Sequence, residues 1–272
     1  MIRLAVRAPA EAAEQVLAAL LSMAPSGVEQ VDRDGEVEYA IYGSPGELPA
    51  LPAGEAEVAG IRVSVSGEEV PDDWHERWKR FHVPRLVGGR LYVRPPWEEA
   101  PVRPGVIDVV IDPGRAFGTG THPTTRLCLE LLLRLGPTRS CSLADLGCGS
   151  GVLAIAAAKL GFRPVTAMDS DQAAVEATLA NARRNGAVLA RVALQDVRGL
   201  APPPADVVVA NLSRRLLLRV AGLMARPPRV LIASGLLEHE VDEVVEAFSP
   251  LCERRRLSLE GWSAVLLERP TR

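Results

Sequence analysis

The run Asp145-Leu-Gly-Cys-Gly-Ser-Gly151 narrows what this chain can fold into more than any other stretch. The residues leading into it, Cys141 to Leu146, form a short apolar run suited to a buried parallel strand, and those after it, Val152 to Leu160, are Ala-rich and helical in composition. The glycines therefore fall at a strand-to-helix turn. A backbone without Cβ atoms turns sharply there and lets a ligand reach the main chain and the free N–H groups of the helix start. A second strand, Pro164 to Met168, delivers Asp169 to its carboxyl end, with Asp171 two residues on. In a doubly wound sheet such a carboxylate lies beside the first turn, where it grips ribose hydroxyls. The pattern predicts a nucleotide-type cofactor site.

The spacing discriminates between cofactors. A dinucleotide fold calls for Gly-x-Gly-x-x-Gly against a pyrophosphate, whereas here Gly147, Gly149 and Gly151 alternate, and Asp145 stands two residues ahead. That arrangement resembles motif I of the class I methyltransferases, whose cofactor, S-adenosylmethionine, has no phosphate. A carboxylate near the loop then repels nothing and helps hold the cationic methionine end. The same spacing disfavours a rival from another class, a nicotinamide-dependent (NAD-type) oxidoreductase. The intact loop disfavours a third reading, a noncatalytic binding protein.

At 272 residues the chain has room for one large domain or two. Ile2, Leu4 and Val6 alternate as in a half-buried strand, and apolar residues recur at helical spacing within Pro9 to Met23. Val28 to Asp32 and Glu36 to Tyr42, around Asp34-Gly35, read as a hairpin; Ser44 to Gly54 reads as an exposed connection, and Ile61, Val63 and Val65 mark another strand. Residues 1–66 thus resemble a small ferredoxin-like α+β domain without a catalytic constellation, and are expected to recognise substrate. Residues 67–89 are expected to form a linker helix opening on an Asp cap, with Trp74, Trp78 and Phe81 on one face, either docking the helix or lining a substrate groove. Residues 90–272 alternate strand and helix and end in an antiparallel pair, Cys252 to Leu259 and Trp262 to Glu268. That ending matches a Rossmann-like class I methyltransferase sheet with its antiparallel C-terminal strand.

A net charge of −3 and a pI near 5.9 leave no electrostatic footprint for nonspecific nucleic-acid binding, and no direct sequence-specific binding is expected. Four cysteines without a C-x-x-C pair and four histidines without H-E-x-x-H suggest neither a metal site nor a disulfide framework. Lysine occurs only at Lys79 and Lys159, an arginine preference read as codon bias. Glu11 and Glu14 precede the first apolar stretch, which does not fit a secretory signal, and no apolar run approaches a membrane span, so a cytoplasmic protein is expected.

Further segments narrow the resemblance. Asp112-Pro-Gly-Arg-Ala-Phe-Gly-Thr-Gly-Thr-His-Pro-Thr-Thr125 is similar to the hallmark of the ribosomal protein L-eleven methyltransferase family, PrmA. Asp206-Val-Val-Val-Ala-Asn-Leu212 resembles that family's motif IV and Arg94-Pro-Pro-Trp-Glu98 the start of its catalytic domain, while Ser234-Gly-Leu-Leu237 and Gly261-Trp262 sit where it has them. The resemblance covers the whole chain. It implies methyl transfer from S-adenosylmethionine to amino groups, lysine ε-amines and the α-amine, of the large-subunit ribosomal protein, free or on the ribosome. It carries over Thr125, Gly147, Asp169 and Asn211 as cofactor contacts. Leu212-Ser213 and Ser170 depart from the residues usual in the family and are read as packing positions.

The residues' own chemistry extends that set. In the Thr- and Gly-rich run, Gly118 and Gly120 supply backbone freedom, Thr119, Thr121, Thr124 and Thr125 supply hydroxyls, and Pro123 suits a first helical turn, as a closing cofactor lid requires. Phe117 offers a ring to cover an adenine or a sulfonium. With Phe117, Gly118, Thr119 and Thr124 from this run, and Asp145, Gly149 and Gly151 from the glycine loop, the expected cofactor shell is complete. Asn211 is the expected catalytic residue, its amide carbonyl orienting the acceptor amine, against the alternative of an ordinary strand-end turn residue. His122 is a candidate for proton handling or, equally, for the loop's own hydrogen bonds. Motif IV lacks the Asn-Pro-Pro-Tyr used on planar acceptors, so the same-fold alternative is another class I protein or small-molecule N-methyltransferase.

Overall fold

The structure, a computed structural model, describes residues 2–23, 28–33, 35–43, 48–49, 51–69, 82–100, 103–113, 120, 122–136 and 141–270. It divides into two units, Met1–Phe81 and His82–Arg272.

In the first unit, β1 (Ile2–Pro9) leads through a single 3-10 turn into α1 (Ala13–Met23), followed by β2 (Glu29–Arg33), β3 (Glu36–Gly43), β4 (Gly54–Val58) and β5 (Ile61–Glu69). The sheet order is β2-β3-β1-β5-β4, antiparallel throughout. Alternation puts Leu4, Val6, Val37, Tyr39, Ile41, Val63 and Val65 into one core with Val16 and Leu20 of α1. The order β2-β3-β1-β5 is the ferredoxin-like one. Strand β4 was not expected: it starts where the exposed connection was read to end, and joins β5 through Ala59 and Gly60 at φ 52° and 79°. Among the described residues it stands where a ferredoxin-like chain has its second helix.

In the second unit, seven strands form one sheet, β9 (Leu143–Leu146), β10 (Val165–Asp169), β11 (Arg191–Leu194), β12 (Val207–Asn211), β13 (Val230–Leu237), β14 (Cys252–Leu259) and β15 (Trp262–Glu268), in the order β11-β10-β9-β12-β13-β15-β14. The first five are parallel, and β15 inserts antiparallel between β13 and β14. The helices are α2 (Pro123–Leu135), α3 (Val152–Leu160), α4 (Gln172–Arg184), α5 (Arg214–Leu223) and α6 (Val241–Ala247). One face of the sheet packs on α2 and α3, and the other on α5 and α6. Burial on both faces explains the apolar run Val207 to Ala210 of β12, and it encloses every residue of β9, Asp145 included. The strand order reverses at β9 and β12, the switch point where ligands of open α/β sheets bind.

A further sheet, β6 (Arg85–Val87), β7 (Leu91–Arg94) and β8 (Ile107–Val110), shares the core of α2 and α3 through Val87, Leu91, Val93 and Val109. The expectation of a linker helix over 67–89 is corrected at both ends, since β5 runs to Glu69 and β6 occupies 85–87. Strands of three or four residues are too short to show a period, which is why they were missed. The middle of that segment, with Trp74, Trp78 and Phe81, lies outside the described residues. Among the described residues, no helix is long and apolar enough to cross a membrane.

Candidate cofactor site

The loop between β9 and α3 takes left-handed backbone at each of its glycines, with φ 71° at Gly147, 52° at Gly149 and 83° at Gly151. L-residues with a Cβ rarely adopt such angles. Space is also excluded, since a Cβ on Gly147 would lie 2.5 Å from Cδ2 of Leu212. The loop is tied to the end of β10: Gly147 and Cys148 N–H both donate to the Met168 carbonyl, at 2.9 and 3.0 Å, and Gly149 N–H donates to Oδ2 of Asp169 at 2.9 Å. Oδ1 of Asp169 accepts from the Asp171 N–H at 3.0 Å. Asp171 itself is a helix cap, its carboxylate accepting from Ala173 N–H at 2.9 Å at the start of α4.

A cavity of about 300 Å³ opens at these strand ends. Gly147, Gly149, Asp169 and Asn211 of the expected set line it. So do Gln195, Asp196, Val197 and Arg198 after β11, Leu216 of α5, and Leu212 and Ser170, which were read as packing positions. The segment after β11 was missed although a signal existed. It follows the strand next to β10, and the switch-point rule puts ligands at the carboxyl ends of neighbouring strands. A larger cleft of about 770 Å³ lies at the opposite edge, between the segments 201–206 and 224–229, but it is lined largely by prolines and arginines and gathers none of the expected cofactor or catalytic residues.

Asp145 does not line the cavity. It is wholly buried, Oδ2 accepts from Ala154 N–H at 3.0 Å, and Oδ1 has no hydrogen-bond partner. Burial pushes its pKa up to about 7, and the nearby Asp169 adds to the rise. The Asp169 carboxylate on the cavity wall favours a cation and opposes a pyrophosphate, and Asp145 behind the loop adds to that field as far as it is ionised. Cys148 is held as a thiol, its pKa raised to about 12 chiefly by burial.

The start of α2 backs the site from above β12 and β13. His122 is the N-cap of α2, its Nδ1 accepting from Thr124 N–H at 3.3 Å and lying 2.7 Å from Thr124 Oγ1. Its ring meets Trp262 edge-on, with centroids 5.3 Å apart, and burial lowers its pKa against the opposing pull of Glu260. Thr124 and Thr125 are buried. Asn211, which lines the cavity, donates from Nδ2 to Thr125 Oγ1 at 3.3 Å, so the threonine fixes its amide. Ser234 Oγ reaches the Thr124 carbonyl at 3.3 Å, and Gly235, at φ 88°, presses against Leu212, where a Cβ would lie 2.4 Å from the carbonyl oxygen. Gly151 sits behind the loop, against α4, away from the cavity. Phe117, Gly118 and Thr119, with Thr121, lie outside the described residues. Among the described residues no cluster of His, Cys, Asp and Glu suited to a metal occurs.

The sheet order, the glycine loop after β9 and the acidic end of β10 define a class I S-adenosylmethionine-dependent methyltransferase fold. The family model for "Ribosomal protein L11 methyltransferase (PrmA)" matches residues 1–270, and the chain belongs to that family. A ribosomal protein L11 methyltransferase of Tolumonas auensis is 34% identical over 275 residues, covering 91% of each chain. One from Shewanella halifaxensis is 42% identical over 201 residues, 70% of this chain. That match spans just under two thirds of the Shewanella protein, 66%. The crystal structure of a ribosomal protein L11 methylase from Lactobacillus delbrueckii subsp. bulgaricus superimposes with a TM-score of 0.62 at 25% identity, over 70% of this chain and 100% of that one.

Proposed function

We propose that this protein transfers methyl groups from S-adenosylmethionine to lysine ε-amines and the α-amine of ribosomal protein L11, free or on the ribosome, in the cytoplasm. The observation that carries the reading is the convergence of Gly147, Gly149, Asp169 and Asn211 on one cavity at the carboxyl ends of β9, β10 and β12. The residues present suit the cofactor: Asp169 for ribose hydroxyls, the apolar Val197, Leu212 and Leu216 for a base, and the field of Asp145 and Asp169 for a cationic methionine end.

S-adenosylmethionine, when bound, supplies a methyl carbon activated by its positive sulfonium. The protein's task is alignment and exclusion of water. A lysine amine with a pKa of about 10.4 arrives mostly as ammonium and must lose a proton before it attacks. Asn211, held by Thr125, accepts an N–H of the acceptor on its amide oxygen and leaves the lone pair free to point at the methyl. His122 caps α2 with Nδ1, which leaves Nε2 to carry the ring proton; this supports the hydrogen-bonding role over that of proton acceptor. Residues 1–81 serve substrate recognition and residues 82–272 the chemistry, a division supported by the gathering of every described motif residue in the second unit.

Mass spectrometry of purified L11 after incubation with enzyme and S-adenosylmethionine tests the proposal. Mass increments of whole methyl groups on lysine and the N-terminal amine are expected. Labelled methyl that stays off L11 but reaches a small amine or another ribosomal protein would replace it with the broader N-methyltransferase reading.

A further inference from the structure

Behind the glycine loop, α4 carries a polar stripe that the chemistry above does not use. Thr178, Asn181 and Asn185 are spaced three and four residues apart and so share one helix face. Thr178 and Asn181 are 0% and 1% exposed, which is unusual for polar side chains unless they are fully hydrogen-bonded. Their partners are backbone atoms of two segments distant in sequence, with Cys148 Sγ also 3.3 Å from Thr178 Oγ1. Thr178 Oγ1 donates to the Gly149 carbonyl at 3.0 Å, and Gly151 lies so close that a Cβ there would be 2.9 Å from that oxygen and 3.1 Å from the Thr178 Cα. Asn181 Nδ2 donates to the Ser150 carbonyl at 2.9 Å, while its Oδ1 accepts from Asp112 N–H at 3.0 Å.

Asn185 makes the parallel arrangement one turn on. Its Oδ1 accepts from Val110 N–H at 2.9 Å and its Nδ2 donates to the Val110 carbonyl at 2.6 Å. The two amides thus read the backbone at 110 and 112 as a neighbouring strand would. Only at Asn181 does the same amide also hold the cofactor loop.

We propose that Thr178 and Asn181 are positioning residues for S-adenosylmethionine. A planar peptide has its N–H and C=O on opposite edges, so anchoring the carbonyls of Gly149 and Ser150 on α4 orients the peptide planes that follow them. With Asp169 fixing the N–H of Gly149, that residue is held from both sides, and the wall formed by Gly147 and Gly149 keeps one shape. A carbonyl released from α4 is free to swing, and binding the cofactor must then order it again.

The test uses the full chain, with calorimetric affinity for S-adenosylmethionine and steady-state kinetics on L11. Thr178→Val removes the donor at nearly constant shape, and Thr178→Ser keeps it. Asn181→Asp keeps the acceptor for Asp112 and sets a carboxylate oxygen against the Ser150 carbonyl. Asn185→Asp makes the same change where only residues 110 and 181 are touched. Thr178→Val and Asn181→Asp are expected to weaken the cofactor about tenfold, a change of ~1.4 kcal/mol. The loss should appear in KM for S-adenosylmethionine, with kcat at saturation changed less than about threefold. Thr178→Ser and Asn185→Asp should bind as wild type even where Asn185→Asp lowers Tm. Wild-type affinity in both Thr178→Val and Asn181→Asp overturns the proposal, and so does an equal loss in Asn185→Asp. If Asn181→Asp does not fold, the Val and Ser pair at 178 decides alone. The inference rests on the cofactor reading; a wild-type chain that binds no S-adenosylmethionine overturns that reading first.

Discussion

Each unit buries one carboxylate among its described residues, and the two are treated in opposite ways. In the first unit Glu38, 1% exposed, is clamped between Arg3 at 2.5 Å and Arg7 at 2.6 Å. In the second, Asp145 receives one backbone N–H, keeps an orphan oxygen and has a pKa near 7. Two arginines hold Glu38 as a compensated charge, whereas burial without a cation drives Asp145 toward its neutral form. The units differ in net charge as well. Residues 1–81 contain 7 Lys and Arg against 15 Asp and Glu, and residues 82–272 contain 24 against 19. The overall −3 conceals an acidic unit of −8 and a basic one of +5. The acidic charge of residues 1–81 complements a partner that presents lysines, which supports the recognition role proposed for them.

Separate removal of either function would break or sharpen this contrast. Asn211→Ala should lower turnover by about 10²–10³, the usual cost of losing one aimed hydrogen bond in an active site, with L11 binding intact. A single-turnover rate equal to wild type would remove Asn211 from the mechanism. The reciprocal change is a chain beginning at His82, ahead of β6. It should still bind S-adenosylmethionine yet lose roughly 100-fold in kcat/KM for intact L11, the order expected when tethered recognition is lost. Its fold is checked first by circular dichroism, and wild-type methylation by a folded sample assigns recognition elsewhere.

Asp169→Ala removes the carboxylate proposed to hold the ribose and should weaken S-adenosylmethionine by roughly 1.5–3 kcal/mol in calorimetry. Unchanged affinity would contradict its role. For Asp145 the sign follows from the raised folded pKa. The native state keeps its proton above the unfolded pKa of 3.8, so wild-type stability falls as pH rises from there to about 7 and levels off beyond. Asp145→Asn lacks that slope. It should be more stable than wild type at pH 8 by about 2 kcal/mol, discounted from the full linkage value because the site relaxes, with the gap closing toward pH 4. Denaturant titrations at several pH values measure this, and parallel curves would falsify it. Glu38→Ala should cost the first unit only about 1–2 kcal/mol, since Arg3 and Arg7 retain 21% and 44% exposure and solvent replaces part of what they lose. A stabilised variant would show that the clamp does not hold the fold.

Where the chain repeats a strong period, sequence and structure agree closely. The strands Cys252–Leu259 and Trp262–Glu268 match the reading to the residue, the strand read over Cys141 to Leu146 ends where expected, and the helix after β9 spans Val152–Leu160 as read. Strands β4, β6, β7 and β8 escaped because three to five residues beside Gly and Pro show no alternation. The site divides in the same way. Gly147, Gly149 and Asp169 were legible because a sharp turn needs glycine and a strand end needs only counting. The contribution of residues 195–198 depends on which strand lies beside β10.

The residues by themselves determined the kind of loop, the alternation of strand and helix and the preference for a cofactor without phosphate. Each of these follows from local backbone freedom, periodicity or charge type. Only the tertiary structure decided that Asp145 lies behind the cavity and not in it, that Thr125 serves Asn211, that His122 caps a helix, and that Thr178 and Asn181 hold the loop from α4. The contacts of Thr178, Asn181 and Thr125 join residues 29 to 86 positions apart through single hydrogen bonds. Partners so distant are set by how helices pack on a sheet, and no local pattern encodes that packing.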